Sequence, residues 1–166
     1  MKLISEENRA FLIKRFADEL KDPVTIELYT LGSYHTSAEE IKDNGEEFEV
    51  VEEEACRITR QLLTELSEVS EGKIRFVLHD METPEGEATA NLEGIQPGML
   101  PALAYKAATL KGKSHYYGMP SGYEFGTLVE NLISLSGGKA ELSQKAQEQV
   151  EQMSQPVSLL IFVTPT

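Results

Sequence analysis

GIQPGMLPALAY, residues 94–105, is the stretch on which the fold turns. A Gly/Pro-rich bend runs into Leu100-Pro101 and continues at once as an apolar, strand-like run over residues 102–105. Proline at the first residue of a strand removes no ladder donor, and an X-Pro bond at such a place is the usual site of a native cis peptide. A cis bond would turn the backbone of Met99 and Leu100 outward at the end of a sheet. Free amide and carbonyl groups there can hold another chain by hydrogen bonds.

Outward from this bend the elements follow from spacing and punctuation. On its N-terminal side, Thr83-Pro84 reads as an N-cap with proline at the first helical position, and Gly94 closes a short helix. Residues 74–80 read as a strand before it. On its C-terminal side, residues 102–107 and 114–117 flank a Lys111-Gly112-Lys113 turn, an antiparallel hairpin. Phe125, Leu128, Val129, Leu132 and Leu135 then give a helix ended by Gly137-Gly138.

At the start of the chain, Ser5 with Glu6 and Glu7 caps a helix. Leu12, Phe16 and Leu20, with Ile13 and Ala17 alongside, form its expected buried stripe. Asp22-Pro23 stops it, and Val24, Ile26 and Leu28 alternate as a strand. Residues 32–36 form a polar loop, and a capping box at Ser37-Ala38-Glu39-Glu40 predicts a helix start. Asp43-Asn44-Gly45 interrupts that start, and a second follows at Glu46 and Glu47. Val51, Ala55, Ile58, Leu62, Leu66 and Val69 mark one amphipathic face running to Gly72. The helical crossover makes the first two strands parallel. The short connection makes the last two antiparallel. The long and terminal helices share one face of the sheet, and the short helix takes the other.

The chain has 166 residues, 40% apolar and 26% charged, enough for one well-buried domain with a little left over. A formal charge of -13 argues against nucleic acid or an anionic membrane as a partner, since both require a basic face. No run approaches the roughly 18 apolar residues of a membrane span, and no signal peptide is evident. One cysteine cannot form an internal disulfide, so a reducing cytoplasm is the default location. There is no CxxC, HExxH, phosphate-cradling glycine loop or Cys/His metal spacing, so neither a metal nor a cofactor is implied.

Residues 153–163, MSQPVSLLIFV, echo residues 20–30, LKDPVTIELYT, when the two Pro-Val pairs are superimposed. Each follows a polar helix, over residues 6–20 and 142–153. This is the pattern of a tandem duplication. Residues 1–138 are therefore expected to form one unit, and residues 139–166 the helix and first strand of a second. Residues 157–163 are almost continuously apolar, as in a strand buried on both faces. They have no sheet of their own, so either the chain is a fragment of a longer protein or this strand adds to an edge elsewhere. The fragment is preferred.

The combination resembles the thioredoxin fold: an α/β, four-stranded mixed sheet with helices on both faces plus an extra N-terminal helix. More narrowly, it resembles the N-terminal unit of the tandem-thioredoxin, glutaredoxin-like protein disulfide oxidoreductases. The residues carrying the resemblance are Leu3-Ile4-Ser5, Pro23-Val24, Asp80-Met81-Glu82-Thr83-Pro84-Glu85-Gly86, Leu100-Pro101, and the run from Tyr117-Gly118-Met119-Pro120 to Phe125. The closing Phe162-Val163-Thr164-Pro165-Thr166 resembles the strand and turn just before the second unit's CxxC. The N-terminal domain of the alkyl hydroperoxide reductase flavoprotein is also similar, less closely.

In that family a Cys-x-x-Cys follows the first strand, its attacking thiolate stabilised by a helix N-terminus. Two alignments fit here. One leaves Cys56 at the resolving position with Glu53 where the attacking sulfur belongs. The other, preferred, places the degenerate loop at residues 32–37. Neither contains a dithiol. The resemblance implies a redox-inactive module whose catalytic CxxC lies beyond Thr166. Its partners would be thiol- or disulfide-bearing proteins or peptides and the second unit of the same protein. An electron-relay adaptor and a non-catalytic peptide-binding module are the alternatives. Met99, Leu100, Pro101, Tyr34 and His35 are the expected substrate-contact residues, and Cys56 is the one residual thiol. Taken alone, Cys56 reads better as a small packing residue, His35 as a solvated loop residue, and His79 and His115 as structural. The acidic run 46–54 reads as a solvated face.

Overall fold

The computed structural model describes residues 2–31, 54–138 and 142–163. The predicted loop at 32–36, the helix starts at Ser37 and Glu46, and Val51 therefore lie outside the described residues. Nine elements follow in order: α1 (Glu6–Glu19), β1 (Val24–Thr30), α2 (Glu54–Val69), β2 (Ile74–Asp80), α3 (Pro84–Glu93), β3 (Ala102–Lys106), β4 (His115–Tyr117), α4 (Tyr123–Gly137) and α5 (Gln144–Glu151). The strands form one sheet in the order β2-β1-β3-β4. β1 and β2 run parallel from Val24↔Ile74 to Thr30↔Asp80. β3 is antiparallel to both β1 and β4, with Tyr29↔Ala102 and Ala102↔Tyr117 in register.

Strand alternation divides the sheet into two unequal faces. Val24, Ile26 and Leu28 of β1 and Leu103 and Tyr105 of β3 point into the main core. Leu12 and Phe16 of α1, Leu62, Leu63 and Leu66 of α2, and Leu128, Val129 and Leu132 of α4 complete it. Burying each such side chain is worth about 1.5–3 kcal/mol. The alternate residues, Tyr29, Ala102 and Ala104, meet Ala90 of α3 and Ile95 in a small second cluster. The short helix thus sits alone against one face, as expected.

The helix ends follow the predicted chemistry. Ser5 Oγ accepts from the Asn8 N–H at 3.2 Å, and Thr83 Oγ1 accepts from the Gly86 N–H at 3.1 Å. Gly86 is required by close approach: a Cβ there would lie 1.9 Å from the Asp80 carbonyl oxygen. α3 closes on Gly94 in the left-handed region, at φ 86.

Three expectations are corrected. Ile13 and Ala17 do not join the buried stripe of α1: both are exposed, because Leu12, Phe16 and Leu20 alone face the core. On α2 the buried line begins at Cys56 and Thr59, while Ala55 and Ile58 are only half-buried. Leu62, Leu66 and Val69 are buried as expected, so only the N-terminal part of the helix departs from the predicted line. Residues 157–163, expected to have no sheet of their own, have no ladder partner among the described residues, and their apolar side chains are 56% to 88% exposed. The preceding polar helix is shorter than expected, spanning α5 only and burying none of its residues.

Candidate functional site

The bend between α3 and β3 lies at the end of the central strand. Continuing the β1/β3 register one step beyond Tyr29↔Ala102 sets Thr30 beside Pro101. On its other side, the Thr30 carbonyl accepts from the Met81 N–H at 2.9 Å, so three chain segments converge there. The bend is tied down from several directions. The Ile95 N–H donates to the Ala90 carbonyl at 2.9 Å, and the Gly118 N–H donates to the Pro101 carbonyl at 2.8 Å. The Tyr117 hydroxyl accepts from the Gln96 N–H at 3.2 Å. The Leu100-Pro101 peptide is cis. Pro101 is buried, Leu100 packs on the Tyr29–Ala90–Ile95 cluster, and Met99 is 48% exposed. The corner therefore combines a fixed backbone with one outward apolar side chain.

Of the other sequence-predicted residues, Tyr34 and His35 lie outside the described residues. Cys56 is fully buried in the first turn of α2. That burial fits the packing role and leaves the thiol no access to a reactant. Among the described residues no group of His, Cys, Asp and Glu is arranged to hold a metal ion. No described helix is long and apolar enough to cross a membrane.

Beneath the corner lies a polar layer that the sequence did not announce. Tyr29 is fully buried and its ring stacks on His79, with centroids 4.7 Å apart. Its hydroxyl donates to Glu27 at 2.8 Å, and burial, aided by Glu27, raises its pKa. Glu93, at the end of α3, is buried. It accepts from Lys106 of β3 and lies 3.0 Å from His115 Nε2 of β4. Lys113 Nζ donates to the Leu92 and Glu93 carbonyls at 2.8 and 2.7 Å. Burial alone would raise the Glu93 pKa, but Lys106 and His115 outweigh it and hold the carboxyl below the usual range. The cluster fastens the end of α3, and with it the start of the bend, to the β3–β4 hairpin. His79 and His115 are thus structural residues. Spacing could not have revealed Glu93, because its partners lie 13 and 22 residues away.

No family model matches the chain, and no curated protein matches it. Solved structures do. A protein disulfide oxidoreductase from Aeropyrum pernix K1 superimposes with a TM-score of 0.63 over 92% of this chain, at 18% identity. The fold is thioredoxin-like. The N-terminal domain of alkyl hydroperoxide reductase AhpF from Enterococcus faecalis superimposes with a TM-score of 0.60 over 88% of the chain, at 19% identity. A C503A mutant of AhpF from the same organism gives 0.60 over 88%, at 23% identity. The thioredoxin-like chain spans 56% of the first of these structures and 59% of each of the other two.

Proposed function

We propose that the chain is a redox-inactive thioredoxin-like module of a thiol–disulfide oxidoreductase. Disulfide exchange needs a thiolate that attacks and a second thiol that resolves the mixed disulfide. This chain has one cysteine, and it is fully buried. That observation carries the reading. The module's work is then physical: Met99, Leu100 and Pro101, together with Tyr34 and His35 from the sequence that follows β1, offer a contact surface to cysteine-bearing proteins or peptides. The dithiol belongs to a second unit whose helix and first strand are residues 139–166, with its CxxC encoded past Thr166. A cytoplasmic setting and a role in redox homeostasis go with this reading. The half-exposed Met99 on a fastened corner also favours a second reading, a peptide-binding module with no part in electron transfer.

An insulin-reduction assay with dithiothreitol tests the first point. The chain alone should give no acceleration over the reductant, and turnover would overturn the reading. If the same chain extended downstream acquires activity, a Met99→Arg substitution in it should raise KM severalfold with little change in kcat. The plain binding module predicts an extended chain that stays inactive.

A further inference from the structure

The two edges of the sheet are built differently. β4 is three residues long and runs at once into Gly118 and Pro120, which blunt that edge. β2 is the other edge and is seven residues long, with an uncharged centre at Phe76-Val77-Leu78. Phe76 and Leu78 are half-buried against the main core, and Val77, on the opposite face, is 48% exposed. The bonds to β1 fix which way the backbone of β2 turns. The Val24 N–H donates to the Lys73 carbonyl, and the Met81 N–H donates to the Thr30 carbonyl, each at 2.9 Å. In a parallel ladder of this register, the odd residues from Lys73 to Met81 turn their amide and carbonyl groups to β1. The even residues turn theirs outward. The Ile74 N–H reaches Ser70 Oγ at 2.9 Å, but the outward groups of Phe76 and Leu78 face no described strand.

This edge is complementary to its own reverse. With a twofold axis at Val77, an antiparallel second copy sets Phe76 opposite Leu78 and Ile74 opposite Asp80. Each opposed pair then carries outward-turned groups, so Phe76 and Leu78 exchange both N–H···O bonds, as such a ladder requires. The same arrangement brings the basic start of the strand, Lys73 and Arg75, beside the acidic end, Asp80 and Glu82, of the other copy. Among the described residues, Lys73 and Arg75 donate to the Leu20 and Gly72 carbonyls and not to a carboxylate. A parallel pairing would instead set like charges side by side.

We propose that the chain self-associates as a twofold dimer, β2 pairing antiparallel with β2 of a second copy and Val77 lying on the axis. One strand pair buries little surface, so the dimer is weak and transient. The inference stands apart from the redox reading, and a monomer here would leave the insulin result as it is. In sedimentation velocity, the mean mass of the full chain should rise with concentration from that of one copy towards that of two. Val77→Lys sets two ammonium groups against each other on the axis and should weaken association about tenfold, or about 1.4 kcal/mol. Val77→Glu should do the same, whereas an equimolar mixture of the two variants should regain association, because residue 77 meets its own counterpart. Thermal denaturation checks the fold of each variant. In the unsubstituted chain, the Phe76 and Leu78 amides should exchange more slowly as concentration rises, and the Val77 amide, already bonded to β1, should not change. A chain that stays monomeric, association indifferent to both variants (as pairing through residues 157–163 would give), or a mixture no tighter than either variant alone would each overturn the proposal.

Discussion

Two segments of this chain share a sequence pattern and meet opposite fates. Pro23-Val24 leads into β1, whose Val24, Ile26 and Leu28 are fully buried between two sheet neighbours and a layer of helices. Pro156-Val157 leads into SLLIFV, which is more continuously apolar and lies exposed without a single ladder partner among the described residues. An apolar run does not make a strand. It needs a neighbour to satisfy its backbone and a layer to cover its side chains.

Matched truncations give the largest contrast. With the Pro-Val pairs superimposed, Leu28 corresponds to Ile161. Leu28→Ala should lower unfolding stability by about 2–5 kcal/mol, whereas Ile161→Ala should stay within about 0.5 kcal/mol of wild type. Urea unfolding followed by far-UV circular dichroism distinguishes them; comparable losses would mean that the second segment packs in solution.

The next contrast concerns anchoring. α1 is held to α2 by Glu65, which is buried and receives the Leu3 and Ile4 N–H groups at 2.8 and 2.9 Å. No described residue does the same for α5. Burial pushes the Glu65 carboxyl up, but the two N–H donors, Gln61 and Arg9 prevail and leave it below its ordinary 4.5. A carboxyl so depressed stabilises the fold above its unfolded pKa, and that contribution is lost as pH falls through the folded value. Glu65→Gln should cost about 1–3 kcal/mol at neutral pH. It should also flatten the fall of the urea midpoint below about pH 4.5. An unchanged acid limb would separate Glu65 from the anchoring role.

Caps give the smallest difference. Ser5 and Ser143 both accept from the N–H three residues on, at 3.2 and 3.3 Å. Ser5→Ala should cost about 1 kcal/mol, because α1 is part of the cooperative core. Ser143→Ala should leave the main transition unmoved and show only as faster amide exchange in α5.

These contrasts also explain what could be read in the sequence. Caps, glycine stops, the hairpin and the Leu100-Pro101 corner were legible because each is decided within a few residues. On α2 the predicted Leu62, Leu66 and Val69 are buried, and only the N-terminal part was misjudged: Ala55 and Ile58 fit the period, but the closed core selected Cys56 and Thr59. Glu65 and Glu93 were invisible because their partners come from other elements, as far as 62 residues away for Leu3. Residues 157–163 show the converse: the pattern records a preference for burial, and no described surface provides it. Of the candidate site, Met99, Leu100 and Pro101 could be found from local signals; the Glu93 fastening beneath them could not.

The depth of Cys56 has a practical corollary. As the sole sulfhydryl, sealed inside the first turn of α2, it can meet an alkylating reagent only when that turn comes loose. Its labelling clock would then time the breathing of the molecule, with no second thiol to confuse the signal.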